Sequence, residues 1–95
     1  MKLSDVATIK TNFPDADFWI VRRGSLKNVG KPVNEFNSEH IGVKVINTQF
    51  LLPRYLFICF EAIHLEKRWE PLAHGSLSLV NIKVSDVRKI ELCPR

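Results

Sequence analysis

Arg22 and Arg23 stand side by side ahead of Gly24-Ser25, and Lys27, Asn28, Gly30 and Lys31 follow before Pro32. No acid occurs between Asp17 and Glu35. A guanidinium binds phosphate or the edge of guanine bidentately, Ser25 and Asn28 add neutral donors, and glycine lets a backbone come close to a ligand. The chemistry open to this segment is recognition of phosphate or of base edges. A solvated, hairpin-like loop whose charges serve solubility explains the same residues. A second polar cluster is His74-Gly75-Ser76, followed by Ser78, Asn81 and Lys83. His74 could touch a phosphate or a partner. Equally, Gly75 could supply a turn after a helix, and the two serines could decorate a strand. If both clusters share one edge of a sheet, they form a concave, basic, donor-rich face.

No other pattern carries chemistry as well. Histidines 40, 64 and 74 lack the HExxH spacing of a zinc site, and His64 reads as structural or solvent-exposed. Gly24-Ser25 lacks the second glycine of a nucleophile elbow. Gly30-Lys31-Pro32 lacks the Ser or Thr that holds magnesium in a phosphate-binding loop. The acids are scattered, with no candidate acid–base pair. The expectation is a protein without catalytic activity, metal or cofactor.

The elements that must position these groups are few. Ser4, Asp5 and the spacing of Leu3, Val6 and Ile9 predict a short helix over residues 4–12. Phe18–Val21 reads as a strand covered on both faces. Ile41–Ile46 alternates and reads as a strand with one partly wet face. Pro53 suits the first turn of a helix running to about Trp69, with Leu56, Phe60, Ile63 and Lys67 on one side and Tyr55, Cys59, Ala62 and Glu66 beside them. Its first half is apolar and its second charged, which predicts one buried end and one end near solvent. Trp69 either staples that end to a sheet or, with Arg68, offers a protein interface. Leu77–Ile82 and Ile90–Leu92 read as strands, and Ser85–Arg88 as a turn capped by Ser85. The expected architecture is α+β: a small mixed or antiparallel sheet against one long helix, with a short N-terminal helix.

Ninety-five residues make one domain, 1–95, with a thin stability margin. Fourteen Lys and Arg against ten Asp and Glu give +4, which argues against an acidic nucleic-acid mimic and mildly favours a polyanionic partner. Cys59 and Cys93 have no metal-ligand spacing. The N-terminus reads as no signal peptide, and the longest apolar run, Tyr55–Phe60, is too short to span a bilayer. A cytoplasmic protein without membrane contact is expected.

The order of these features resembles the target recognition domain of type I restriction-modification specificity subunits. The resembling features are the strand, the Arg22-Arg23-Gly24-Ser25 loop, Val29-Gly30-Lys31, the Ile41–Ile46 strand and Leu52-Pro53-Arg54-Tyr55-Leu56. The tail, Gly75 through Asn81-Ile82, then Asp86-Val87-Arg88-Lys89-Ile90, Leu92 and Pro94, is similar to the family's closing pattern. The resemblance covers about residues 17–94. It implies a domain that grips duplex DNA inside a methyltransferase complex, reading bases from loops and a curved sheet. It assigns DNA contacts to the Arg22–Lys31 loop and the His74–Asn81 segment, and packing to Tyr55-Leu56 and to Asp86-Val87 through Ile90. Family domains are commonly longer, and come in pairs joined by long helices after the closing proline, whereas this chain ends at Arg95. The resemblance therefore implies a single, minimal, free-standing recognition domain, of a phage or mobile element.

The leading expectation is a double-stranded DNA-binding module using Arg22, Arg23, Ser25, Lys27, Asn28, Lys31, His74, Ser76, Asn81 and Lys83. It could dimerise on a palindromic site, or work beside a methyltransferase or nuclease subunit. The other expectation is a protein-interaction module, anchored at Arg68 and Trp69. It would inhibit or retarget a restriction, CRISPR or other defence complex, as in antirestriction.

Overall fold

A computed structural model of the chain describes residues 2–46, 48–49, 52–75 and 79–91. Two antiparallel sheets and one long helix make up the α+β fold expected from the sequence. Strands β1 (Ala7–Thr11), β5 (Ile41–Val45), β2 (Phe18–Ile20) and β4 (Pro32–Val33) form the first sheet, in that spatial order. Strands β3 (Arg23–Gly24), β7 (Val80–Asn81) and β6 (His74–Gly75) form the second.

The N-terminal helix contracts to one 3-10 turn, Leu3–Asp5, and residues 7–11 are strand instead. Thr8, Ile9 and Thr11 are β-branched and favour extended backbone. Ala7 and Ile9 are buried while Thr8 and Lys10 are exposed, the period of two that a half-buried strand requires. Five residue pairs join it to β5, from Ala7 opposite Val45 to Thr11 opposite Ile41. Ser4 caps nothing; the Asp5 carboxylate accepts the Lys2 N–H at 3.0 Å.

All three residues of β2 are buried, as the unbroken apolar run implied. Phe18 meets Phe57 edge-on at 5.5 Å and Phe60 at 5.7 Å on the helix side. Trp19 faces the other way, donates its indole N–H to the Phe13 carbonyl at 2.9 Å, and contacts Phe36. Opposite Trp19 is Gly42, where a Cβ would stand 2.8 Å from that of Phe13. Only glycine lets the Phe13–Ala16 turn close over this face.

Helix α1 spans Pro53–Leu65, with proline in its first turn after extended Leu52. It stops four residues short of Trp69. Lys67 takes a left-handed φ of 58°. Its N–H bonds the His64 carbonyl while the Arg68 N–H bonds that of Ile63, the paired closure of a Schellman motif. Burial in α1 divides by face rather than by end: Leu56, Phe60 and Ile63 are buried, whereas Tyr55, Ile58, Ala62 and Leu65 are exposed. Leu56 thus packs as the family pattern implied, and Tyr55 does not.

Helix α2, Val84–Arg88, has its cap at Lys83 rather than at Ser85, and the Asp86 carboxylate accepts the Lys83 N–H at 3.0 Å. It buries Val87, and Arg88 donates to the Ile9 carbonyl at 2.9 Å, tying α2 to β1. The expected strand at Ile90 survives as a bridge between Glu91 and Lys2. Ser76, Leu77, Ser78, Leu92 and Cys93 lie outside the described residues.

Candidate nucleic-acid interface

The two polar clusters that lie 43 residues or more apart in the chain meet in the second sheet. Arg23 pairs with Asn81 across β3 and β7, and Asn81 pairs with His74 across β7 and β6. Directly opposed residues share a face, with Cβ atoms roughly 4.5–5.5 Å apart. Arg23, Asn81 and His74 therefore form one row across three strands. The next row is Gly24, Val80 and Gly75, and Val80 is buried. Alternation then turns the Arg23 row outward. Arg23 and His74 are exposed and Asn81 is half-buried.

Arg22 behaves differently from its neighbour. Its carbonyl accepts the Ile82 N–H at 3.0 Å, Ile82 is buried, and Arg22 is itself half-buried. Alternation sends it to the face opposite Arg23, so the sequence pair is not one paired clamp. Ser25, Lys27, Asn28, Lys31 and Lys83 are all exposed. Ser76 lies outside the described residues.

Between β3 and β4 the chain forms a compact loop. The Ser25 carbonyl accepts the N–H groups of Asn28 and Val29 at 3.0 and 3.1 Å. Val21 closes the base, donating to the Lys31 carbonyl at 3.0 Å and accepting from Gly30 at 2.8 Å. Val29 is buried. Helix α1 holds this loop from below. His64 Nε2 lies 2.6 Å from the Lys27 carbonyl, and since a carbonyl only accepts, Nε2 donates. Gly30 has φ +88°, and a Cβ there would lie 1.9 Å from Cδ1 of Trp69. Trp69 in turn stacks on Phe60, ring planes 3° apart and centroids 6.1 Å apart.

Trp69 is 2 % exposed, so of its two expected roles it takes the staple and not a place on a protein surface. It staples the helix end, through Gly30, to the basic loop. Arg68 is exposed and lies 3.9 Å from Glu66. His64 and Trp69 are the two residues whose bearing on the site the sequence left open. The signal was the position of His64 in the last turn of an amphipathic helix and of Trp69 just beyond its end.

Among the described residues, none of Arg22, Arg23, Lys27, Lys31 and Lys83 is ion-paired with a carboxylate. The row thus offers a fork of guanidinium donors, a side-chain amide and an imidazole, and Lys27, Lys31 and Lys83 expose ammonium groups in the segments that continue its strands. Such a set can bind phosphates and base edges. No three His, Cys, Asp or Glu among the described residues group to hold a metal ion. No helix among them is long and apolar enough to cross a membrane. An open cleft of about 570 Å³ lies at the other end of α1, lined by Asp17, Phe18, Asn34, Arg54, Phe57 and Glu61 among others. With two carboxylates to one guanidinium it does not favour anions.

No family model matches the sequence, and no curated protein matches it. Among solved structures, the S subunit of a type I restriction-modification system from M. genitalium superposes with a TM-score of 0.71 over 95% of this chain, at 13% identity. The chain spans 32% of that subunit's length. The fold is thus that of a segment of a restriction-modification S subunit, in agreement with the resemblance to a target recognition domain carried by the sequence motifs.

Proposed function

We propose that this chain is a DNA-binding module that engages duplex DNA through its three-stranded sheet and the basic loop beside it. The observation that carries this reading is the in-register row of Arg23, Asn81 and His74, in a fold shared with an S subunit. Arginine suits the O6 and N7 of guanine, and asparagine the N6 and N7 of adenine. Exposed Lys27, Lys31 and Lys83 suit phosphates, which set position rather than sequence. The role is recognition without catalysis, in the cytoplasm, and a methyltransferase or nuclease subunit is the partner such a module would direct. Inhibition or retargeting of a defence complex is the weaker reading, since Trp69, one of its two proposed anchors, is buried.

A fluorescence-anisotropy titration of a mixed-sequence duplex tests it. Binding is expected at about 50 mM salt and should weaken steeply toward about 200 mM, because each neutralised phosphate releases a counterion. A variant with Arg22, Arg23 and Lys27 all changed to Ala should lose most of it. Absence of binding even at low salt, or binding indifferent to that triple change, would overturn the proposal.

A further inference from the structure

Helix α1 is apolar on two faces, and the fold covers one. Leu56, Phe60 and Ile63 are buried against the sheet. Outside, Leu52, Tyr55, Ile58 and Leu65 are 63, 47, 54 and 78 % exposed, and Ala62 is exposed beside them. At about 100° per residue, these five and half-buried Cys59 fall in one stripe about 140° wide, which exposed Glu66 bounds just past Leu65 at the C-terminal end. A continuous apolar stripe of this kind marks an interaction surface, whereas single exposed apolar residues are ordinary.

The pattern of sizes and charges in this stripe points to its occupant. We propose that two copies of the chain pair through the outer face of α1, antiparallel, about a twofold axis between Ile58 and Cys59. That axis sets Leu52 against Leu65 of the second copy, Tyr55 against Ala62, and Ile58 against Cys59. Large side chains meet small ones at the centre, and the two leucine pairs close the ends. Arg54 and Glu61 flank the stripe on the same side. The twofold operation brings Arg54 of each copy beside Glu61 of the other, offset by about 3 Å along the helix. Asp17, which lines the same cleft as Arg54 and Glu61, adds negative charge where the second copy's guanidinium arrives. The interface is thus self-complementary, as a twofold contact must be. One short helix pair falls below the roughly 800 Å² per partner of a standard interface, so the dimer forms reversibly. This inference rests on α1 and not on DNA binding.

Sedimentation equilibrium of the full chain, without DNA, from about 1 to about 500 μM tests it. The wild type should pass from monomer to dimer and stop there. Arg54→Glu or Glu61→Arg alone places like charges together twice and should weaken association about tenfold or more, while the double variant, carrying the reversed pair, should regain it. Ile58→Glu, at an exposed position, should abolish association with an unchanged circular-dichroism spectrum. In a Cys93→Ser background, a short bis-maleimide should link the chains through Cys59, and the Ile58→Glu change should suppress that link. A monomer at every concentration, assembly beyond a dimer, or a charge swap without effect overturns the proposal.

Discussion

The four-stranded sheet and the three-stranded sheet are held together by different means. The first orders itself: β1 and β5 pair over five residues, β2 is buried on both faces, and Phe18, Phe57 and Phe60 interlock beneath it. The second consists of two-residue strands, with glycine at one position of both edge strands, and buries Val80 in its centre. Strands that short bury too little to stand alone. Order reaches this sheet and its loop from outside, through Trp69 on Gly30 and His64 on the Lys27 carbonyl. The difference shows how a small domain can expose a polar surface: the residues that face out are free to be polar because others, at the end of α1, fix the backbone that carries them.

The sharpest way to break this contrast is at its junction. Gly30→Ala drives a methyl into Trp69 at a left-handed φ, and should cost about 2–5 kcal/mol in chemical denaturation, with a changed tryptophan fluorescence. The matching change in the small sheet, Gly24→Ala, meets nothing nearer than the Asn28 Cβ at 4.0 Å and should cost under about 1 kcal/mol beyond the φ preference. Equal effects would mean that the loop is not fixed through Trp69.

On the outward row, Arg23→Ala or Asn81→Ala should each weaken duplex binding by about 1–3 kcal/mol in anisotropy, with melting temperature nearly unchanged. Thr8→Ala and Lys10→Ala, exposed on β1, should leave binding within error. His64→Ala removes one helix-to-loop hydrogen bond, worth about 1 kcal/mol. It should raise amide exchange at residues 25–29 more than anywhere in β1 or β5, and His64→Gln, which keeps a donor, should recover part of the protection.

The smallest effect concerns the first sheet. His40, just before β5, has a buried ring nitrogen without a partner, and burial lowers its pKa below the usual 6.5 despite the opposing field of Glu39. The unfolded chain therefore binds a proton there more readily than the folded one. Stability contributed by neutral His40 is present above the unfolded pKa and declines as pH falls below it toward the folded value. Melting temperature should drop slightly between about pH 7.5 and pH 5.5, and His40→Leu should remove that part of the drop.

Much of the scaffold is legible in single residues. The unbroken run Phe18–Val21 gave a doubly covered strand, and Pro53 opened a helix. Residues 3–9 misled because Leu3, Val6 and Ile9 are all buried at a spacing of three, yet a 3-10 turn followed by a strand buries the same residues. The β-branched content of 7–11 carried the better signal. The stop at Leu65 depends on a lysine in a left-handed conformation, which no composition rule announces. For the candidate site, both polar clusters are visible in the sequence, while their register waited on the pairing of β3 with β7, a long-range contact without a local signature. The opposed directions of Arg22 and Arg23 follow from that same register.

The most direct measurement is an amide chemical-shift map of the full chain titrated with a mixed-sequence duplex at low salt. The largest changes should fall at residues 22–31, at His74 and Gly75, and at residues 80–83, with β1 and the exposed face of α1 silent. Changes centred on β1, on α1 or on the cleft between Asp17 and Glu61, with Arg23 and Asn81 unmoved, would contradict the proposed interface.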